Sequence, residues 1–424
     1  MTPNQLQKFR GELTVFVAAV AGDFGRRGRA RWGEAYLRGL LLDGDRKSIE
    51  PVADRLRAID QKPEDYEQAL QQFVSQSPWD ERAVRAGLAK WVGEQFGKEG
   101  LFILDDTGFP KCGDDSVGVS RQYSGTLGKI DNCQIGVTLQ FVARDTVVAL
   151  DAALYLPKAW TDDRPRCVKA GVPADVVFQT KWEQGLAMLR RAKAHGFTGV
   201  VLADAAYGDV TEFRTALAAD GFAYVLGIGS TLKVIAADAD LGAVPPYSGV
   251  GRPPTRPAKV RPGTPSVSVR DWTLTRAKDF RTVAWRDGTK KKLTSRFAAW
   301  RVRPAHQLSA GREPLPALWL LVEWPAGADG PTKFFFAHLP ADTSLRRLVT
   351  LAKSRYFVEH SYKELKDELG LDHFEGRSWP GWHHHVTLVL LAYAFLQHLR
   401  LRAGKKGAPN SRPSPPSAAS SNAA

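Results

Sequence analysis

Apolar and polar positions repeat along this chain with two different periods, which divide it into a helical first part and a strand-rich remainder. Up to about residue 95, apolar residues recur every three or four positions, as in amphipathic helices. The segments with this period are "YLRGLLLDG", which stops at Gly44, "SIEPVADRLRAI", opened by Ser48, "PEDYEQALQQFVSQ", and "DERAVRAGLAKWVGEQF", opened by Asp80 or Pro78. They predict a helical bundle that binds DNA, dimerises, or does both.

From Leu101 the spacing becomes that of strands. Three apolar runs, "LFILDDTG", "NCQIGVTLQFVA" and "TVVALDAALYLP", follow closely and predict an antiparallel meander. They are followed by a helix at "KWEQGLAMLRRAKAHGF", a strand at "TGVVLADA", a helix at "VTEFRTALAADGF" and a strand at "AYVLGIG". The order of three strands, then helix, strand, helix and strand resembles the ribonuclease-H-like fold.

A long insertion separates this core from its last helices. Five segments within it predict strands: "SVSVRDWTLT", "RTVAWRDG", "RFAAWRVRP", "ALWLLVEWP" and "TKFFFAHLP". Gly, Pro and Arg dominate residues 242–265. The insertion is therefore predicted to form a β-rich domain.

Two strongly apolar segments are predicted to be buried helices. "LTVFVAAVAG" is bordered by Glu12 and followed by basic chain, unlike a secretory signal. "VTLVLLAYAFLQHL" is too short to cross a bilayer. We therefore expect no membrane association.

The predicted architecture is α/β: a ribonuclease-H-like catalytic core with an inserted β-rich domain, preceded by an N-terminal helical domain. Residues 1–97 form the helical DNA-binding or dimerisation domain and 98–232 the first part of the core. Residues 233–341 form the basic insertion, and 342–403 complete the core. The tail, 404–424, is rich in Pro, Ser and Ala and is predicted to be disordered.

Composition changes this picture mainly in the insertion. The 424 residues carry 59 Lys and Arg against 45 Asp and Glu, a formal net charge of +14. Residues 251–305 contain 15 basic and three acidic residues, so they hold most of the surplus. Trp272, Trp285 and Trp300 lie among these charges. This favours contact with a phosphate backbone and stacking on bases over a solvated sheet with inward tryptophans. Three cysteines without a CxxC pair suggest neither zinc nor disulfides and fit a reducing cytoplasm.

Aspartates terminate two of the apolar strands. "FILDDTG" carries Asp105 and Asp106, and because side chains alternate across a strand, only one of them can face a given site. Asp204 ends the run in "VVLADAAYGD", where it is either a helix N-cap or a carboxylate at the chemical edge of the sheet. Phosphodiester chemistry with two Mg²⁺ ions needs carboxylates that share the ions. One further carboxylate would complete such a site.

The segment "RYFVEHSYKELKDELGLDHFEGR" supplies that carboxylate. As a helix, it has an apolar stripe made of Val358, Tyr362, Leu365 and Leu369. Glu359, Lys363 and Lys366 form the adjacent face. Glu359 is therefore placed to meet metal while the two lysines meet phosphate.

Other charged groups are weaker candidates. Adjacent residues of a helix point in different directions, so the triplet His383 to His385 is not expected to form a metal cluster. Around the first hairpin, Lys111, Arg121 and Lys129 either contact DNA or are solvated. In the insertion, the run Lys290, Lys291 and Lys292 is predicted to contact DNA.

At this level of detail the chain resembles a DDE transposase of a bacterial insertion sequence. The group concerned has Tyr, Arg, Glu and Lys at fixed spacing around its catalytic glutamate. Arg355, Glu359 and Lys366 match that spacing, whereas the tyrosine position falls on Ala352. The likeness extends from about residue 30 to 400 and includes "DDTGFPK", "RQYSGTLGK", "LADAAYG" and "GLDHFEGRSW".

The resemblance implies a role for each candidate. Asp106, directly before Thr, would be the first catalytic and metal-binding carboxylate, Asp204 the second and Glu359 the third. The cofactor would be two Mg²⁺ ions, with Mn²⁺ as a substitute. By the same resemblance, Arg355 and Lys366 would bind DNA. The helix face, the first hairpin and the charge surplus of the insertion add Lys363, Lys129, Lys290, Lys291 and Lys292 as DNA-binding candidates.

The resemblance also implies an activity and partners. The enzyme would bind the terminal inverted repeats of its insertion sequence and perform cut-and-paste transposition. Its partners would be double-stranded DNA, both transposon ends and target, and a second copy of itself in the DNA complex. It would be cytoplasmic and associated with the nucleoid. The alternatives are a nuclease of the same fold and a non-cleaving DNA-binding derivative, against which the presence of all three carboxylates argues.

Overall fold

The computed structural model of the chain describes residues 1–22, 24–61, 65–125, 128–239, 266–287, 292–305 and 315–407. Its helices are α1 (Pro3–Ala21), α2 (Arg27–Leu41), α3 (Ile49–Asp60), α4 (Tyr66–Ser75), α5 (Glu81–Phe96), α6 (Lys158–Thr161), α7 (Arg164–Lys169), α8 (Lys181–Ala194), α9 (Ala205–Gly208), α10 (Thr211–Ala219), α11 (Val269–Leu274), α12 (Leu345–Lys353), α13 (Tyr356–Lys363) and α14 (Trp379–Gly407). Its strands are β1 (Glu99–Pro110), β2 (Ser120–Ser124), β3 (Lys129–Ala143), β4 (Thr146–Tyr155), β5 (Thr198–Ala203), β6 (Ala223–Ile228), β7 (Lys233–Ala236), β8 (Val267–Ser268), β9 (Arg281–Asp287), β10 (Lys292–Pro304), β11 (Leu318–Glu323) and β12 (Lys333–His338).

The chain forms two compact units. Unit 1 consists of Met1–Gly199 together with the chain from Tyr356 onward, and unit 2 of Val200–Arg355. The insertion thus belongs to the same compact unit as β6, the strand that precedes it. The finer domain boundaries drawn from the sequence stay predictions, and most of the predicted disordered tail lies outside the described residues.

Unit 1 begins with the predicted helices. The segment "LTVFVAAVAG" forms the end of α1 and buries Leu13, Phe16, Val17 and Val20, as expected of a core helix. Asp80 caps α5, because its side chain accepts hydrogen bonds from the backbone N–H groups of Arg82 and Ala83. Capping and amphipathic spacing therefore agree with the structure in this part of the chain.

The last helix, α14, is longer than its apolar run predicts. Residues 379–403 are long and apolar enough to cross a membrane by length and composition, but 61% of the apolar window is buried inside the protein. The helix packs on β4 and on helices α2, α4 and α5 of the same unit. It is thus a core helix of unit 1, as predicted.

Three consecutive histidines connect α14 to the N-terminal helices and to the loop before it. His384 Nδ1 lies 2.8 Å from the carbonyl oxygen of Val74, and its Nε2 lies 3.0 Å from that of Trp79. His385 pairs with the Tyr36 hydroxyl at 2.8 Å and with the Gly370 carbonyl at 2.9 Å. Burial lowers the pKa of His385 to about 4, so the ring is neutral at pH 7. These two histidines therefore have a structural role in joining distant segments of unit 1.

The sheet of unit 1 is the predicted antiparallel meander with one addition. β1 pairs with β3 and β3 with β4, both antiparallel. The short strand β2, which the hydrophobic pattern does not indicate, pairs with the beginning of β3. Apolar and polar residues do not alternate in "SRQYS", and only its last residue is buried, so no hydrophobic period marks this strand.

Unit 2 contains one parallel strand pair and an antiparallel array. β5 pairs in parallel with β6. β6 continues through β12 and β11 to β10, and β10 also pairs with β7 and β9. The insertion is therefore β-rich, as predicted.

One predicted strand of the insertion is wrong. "SVSVRDWTLT" forms only the two-residue strand β8 and then helix α11. Ser268 caps this helix by accepting from the Asp271 N–H at 3.0 Å, and the Thr273 hydroxyl donates to the Val269 carbonyl at 2.6 Å. Local side-chain hydrogen bonds thus outweigh the strand propensity of the Val and Trp residues.

Candidate active site

Asp106 lies in the middle of β1, on the face that packs against α8. Leu104 lies on the same face, and a Cβ at Gly185 of α8 would come within 2.3 Å of the Leu104 side chain. Lys181, the first residue of α8, places its Nζ 2.8 Å from Asp106 Oδ2. The Asp106 carboxylate is therefore already held by a cation of its own chain.

Asp105 lies on the opposite face. It is directly across from Thr138 of β3, whereas Asp106 is across from Val137. Residues directly opposite in an antiparallel pair share a face. Thr138 Oγ1 lies 2.6 Å from the hydroxyl of Tyr362, so Asp105 lies on the side that α13 covers. β1 thus presents one carboxylate to α8 and the other to the side of the glutamate helix.

Asp204 follows β5 directly and belongs to unit 2. Its Oδ1 accepts a hydrogen bond from the Ala206 N–H at 3.0 Å, so it caps the four-residue helix α9 rather than the longer α10. The turn packs closely on β6, since a Cβ at Gly208 would lie 1.8 Å from the carbonyl oxygen of Gly227. The buried guanidinium of Arg214 also donates to the Gly208 carbonyl. The predicted cap is thus confirmed for α9, and the metal-binding role of Asp204 stays a prediction.

Glu359 lies on the exposed side of α13, in unit 1. The opposite side of this helix is fixed to β3, because Ser361 Oγ donates to Gln140 Oε1 and the Tyr362 hydroxyl pairs with Thr138. Val358 is buried in the same contact. α13 ends at Lys363 and continues as a π-turn, Glu364–Glu368, a correction to the single regular helix expected from the stripe.

The basic residues around Glu359 differ in their surroundings. Lys363 is exposed, and Arg355 is half-buried as the last residue of unit 2. Lys366 is half-buried, with its Nζ 3.0 Å from the carbonyl oxygen of Gly108 and 5.6 Å from the centre of the Phe109 ring. Burial lowers the pKa of Lys366. The structure therefore places this lysine beside β1, two residues beyond Asp106.

The other predicted DNA-binding residues are peripheral or undescribed. Lys129, at the start of β3, is exposed and lies 2.9 Å from Asp131, so it is a solvated ion pair. Lys292 is exposed at the start of β10, across from Asp287. Lys290 and Lys291 lie outside the described residues.

The three tryptophans of the basic segment 251–305 make contacts within unit 2. Trp272 is buried and has the guanidinium of Arg276 3.7 Å from its ring centre. The Lys353 Nζ lies 4.6 Å from the centre of the Trp285 ring. Trp300 donates its indole N–H to Asp279 at 2.8 Å. Each ring therefore has a structural role before any nucleic acid is considered.

Asp106, Asp204 and Glu359 carry carboxylate oxygens, the ligands that Mg²⁺ prefers. Asp106, however, faces α8 and Lys181, whereas the helix of Glu359 covers the face of Asp105. Asp106 is engaged in an ion pair with Lys181 at 2.8 Å. Over the residues that the structure describes, no three His, Cys, Asp or Glu side chains are gathered as a metal-binding group.

Comparison with known families decides the class of this chain. The family model described as "DDE superfamily endonuclease" matches residues 19–292, more than half of the chain. The chain belongs to the DDE superfamily endonucleases. The fold of this endonuclease, mixed α/β with an N-terminal helical region, is consistent with the ribonuclease-H-like core that the resemblance implied. The family match includes Asp106 and Asp204 and ends before Glu359.

One curated protein is similar in sequence to part of this chain. The endonuclease is 28% identical over 173 residues to "Probable transposase for insertion sequence element IS701" of Microchaete diplosiphon. The alignment covers 40% of this chain and 41% of that protein, less than half of its length.

Sequence reasoning missed Lys181. A signal was available in "TKWE", since Thr180 and Glu183 form a capping box around the first turn of α8. A lysine at the first position of a helix faces the positive end of the helix dipole, which is unfavourable. Its ammonium is instead paired with Asp106, a contact between segments 75 residues apart.

Proposed function

We propose that this DDE endonuclease is a transposase. It would bind the terminal inverted repeats of its insertion sequence, cleave DNA strands there and transfer them to target DNA. The observation that carries the proposal is the position of two aspartates within the family match. Asp106 lies within β1, and Asp204 follows β5 directly, positions at which this fold can present carboxylates to metal.

Asp106, Asp204 and Glu359 would hold two Mg²⁺ ions, with Mn²⁺ as a substitute. The ions would stabilise the negative charge on the attacking and leaving oxygens of the phosphodiester. The carboxylates contribute hard oxygen donors. Arg355, Lys363 and Lys366 would bind phosphates next to the bond that reacts, which fixes the register of the DNA without reading its sequence.

The partners follow from the proposed reaction. Both transposon ends must be cut and joined to target DNA in one complex. This requires two active sites and therefore a homodimer in the DNA complex. Its DNA substrates place the enzyme in the cytoplasm with the nucleoid. The basic insertion supplies a surface for double-stranded DNA.

Incubation with Mg²⁺ and DNA that carries the terminal repeats of its own element tests the proposal. The expected result is cleavage at the repeat boundary, and the control is the same DNA with scrambled repeats. Cleavage that ignores the repeats would indicate a general nuclease instead. Binding without cleavage would indicate a derivative that has lost its chemistry.

Lys366→Met is expected to reduce cleavage by roughly tenfold or more, because one phosphate contact beside the reacting strand is lost. The slope of log affinity against log salt concentration should fall by about one. Lys90→Met on α5 is the matched control, since Lys90 is also a lysine of unit 1 and is exposed. An unchanged cleavage rate for Lys366→Met would reduce the signature match to a coincidence of spacing.

Replacement of Lys290, Lys291 and Lys292 together by Ala is expected to weaken binding to many DNA sequences equally. Lysines that neutralise phosphates add affinity without specificity, so the dependence of binding on salt should also become flatter, by about 0.9 per lost contact. Fluorescence anisotropy at several salt concentrations, with repeat and unrelated duplexes, measures both effects. Unchanged affinity and slope would make this run an ordinary solvated turn.

A further inference from the structure

The hairpin of β2 and β3 presents two large apolar side chains to solvent. Tyr123 and Ile130 are 62% and 61% exposed, whereas most large apolar side chains of the described residues are buried. They lie directly opposite each other in the antiparallel pair, so they share one face of the hairpin and form a single apolar patch. Tyr123 is part of the motif "RQYSGTLGK", in which the candidate site assigns a role only to Lys129.

The opposite face of the hairpin is held against β1. Ser124 follows Tyr123 in the strand and therefore lies on the other face, where it is fully buried. A Cβ at Gly108 would lie 2.1 Å from the Ser124 Oγ, so hairpin and strand approach closely. Within the hairpin, Gln122 Nε2 donates to the Cys133 carbonyl at 2.9 Å. The apolar patch is therefore carried on a hairpin that is fixed from its inner side.

This contact places the hairpin beside the strand of the candidate site. Gly108 is two residues beyond Asp106, on the same face of β1. The Gly108 carbonyl oxygen also accepts a hydrogen bond from Lys366 at 3.0 Å. DNA that is bound by these groups therefore lies next to the hairpin.

Charge and size indicate which partner the patch fits. Arg121, two residues before Tyr123 on the same face, is exposed, and so is Lys129, although Lys129 is paired with Asp131. Such basic groups attract a phosphate backbone. Two side chains offer far less area than the about 800 Å² per partner of a stable protein interface. One inserted side chain, in contrast, is enough to unstack a base step.

We propose that Tyr123 and Ile130 form a wedge that separates two base pairs of transposon-end DNA near the repeat boundary. The inference rests on the proposed function, which brings repeat DNA to β1. The tyrosine ring stacks on the base that loses its neighbour, and Ile130 supports the ring from the opposite strand of the hairpin. Because the cost of unstacking depends on the base step, the wedge adds sequence selectivity without a hydrogen bond to a base.

Repeat duplexes with 2-aminopurine at single positions around the boundary test the wedge without catalysis. The fluorescence of this base rises when it loses its stacking neighbours, and no divalent metal is added. Wild type should raise the fluorescence severalfold at one position or at two adjacent positions. Tyr123→Ala should abolish the rise and weaken binding to the repeat duplex by roughly tenfold. Ile130→Ala should reduce both by a smaller factor, and Tyr123→Phe should behave as wild type.

Phe178→Ala is the matched control, because Phe178 is also an exposed aromatic residue of unit 1, in the loop before α8. It should bind repeat DNA and raise the fluorescence as wild type does. The dependence of binding on salt distinguishes stacking from phosphate contact. Tyr123→Ala should leave the slope of log affinity against log salt concentration unchanged, whereas Arg121→Gln should lower it by about one.

The possible failures are distinct. A wild-type complex in which no position gains fluorescence overturns the wedge, while Mg²⁺-dependent cleavage at the repeat boundary would still support the transposase. A rise for Tyr123→Ala equal to that of wild type also overturns it, and a loss of dimer in sedimentation velocity would then assign the patch to contact between copies. Equal binding of wild type to repeat and scrambled duplexes contradicts the proposed function and the inference together. If Tyr123→Ala and Tyr123→Gln both fail to fold, the ring is structural and the inference is overturned.

Discussion

Asp106→Asn, Asp204→Asn and Glu359→Gln are each expected to lower strand cleavage by roughly a thousandfold or more, while binding to the terminal repeats changes little. The carboxylates act on charge that develops in the transition state, whereas basic surfaces supply most of the affinity for DNA. Each substitution keeps the size of the side chain and removes only its charge. Cleavage of end-labelled repeat DNA and a gel-shift titration of the same DNA measure the two quantities separately.

Asp105→Asn is the internal control for the choice of strand face. Asp105 and Asp106 are neighbours in β1 with the same side chain, but Asp106 faces α8 and Lys181, whereas Asp105 lies on the face covered by α13. The resemblance assigns the catalytic role to Asp106, the residue directly before Thr107, so Asp105→Asn should reduce cleavage far less than Asp106→Asn. If Asp105→Asn is inactive and Asp106→Asn is active, Asp105 is the catalytic carboxylate and the site lies on the face of β1 that α13 covers.

Lys353→Met is expected to destabilise unit 2 by about 3 to 5 kcal/mol, since breaking a buried ion pair leaves one charge without its partner. Lys353, at the end of α12, places its Nζ 2.7 and 2.6 Å from the two carboxylate oxygens of Glu323 in β11. Only 6% of the Glu323 side chain is exposed, so water cannot replace the lost ammonium. The urea dependence of unfolding, followed by tryptophan fluorescence, measures the change.

The double variant Glu323→Gln with Lys353→Met distinguishes the charge from the packing. With the buried carboxylate removed as well, the loss of stability should be clearly smaller than for Lys353→Met alone. Lys278→Met, at an exposed lysine of the same unit, should have little effect. A single Lys353 variant as stable as wild type would show that Glu323 is neutralised or solvated in another way.

The Lys353–Glu323 ion pair lies close in sequence to the glutamate segment. α12 ends at Lys353, and the segment with Arg355 and Glu359 follows directly. α12 packs on β6, β9 and β10 of unit 2. Strands of unit 2 therefore hold α12, the helix that precedes the glutamate segment in the chain.

Much of the fold follows from local pattern in the sequence. The helices α3 to α5 and α8 and the strands β1, β3, β4, β6 and β9 to β12 could be inferred from periodicity and caps, and the class of the enzyme from the resemblance of its motifs to a known family. These signals are strong because each depends on residues within a few positions of one another. Where a local signal was misread, as in "SVSVRDWTLT", another local force decided, namely the Ser268 cap of α11.

Tertiary structure decided what each site residue touches. Alternation in β1 determines that Asp105 and Asp106 face opposite ways, but only the packing of α8 and α13 determines which side each one meets. In the same way, Lys366 reaches Gly108 and Lys181 reaches Asp106 across separations of 258 and 75 residues. The sequence by itself therefore determined which carboxylates and lysines are available and in which elements they lie. Their partners depend on contacts between distant segments, which no local period in the sequence encodes.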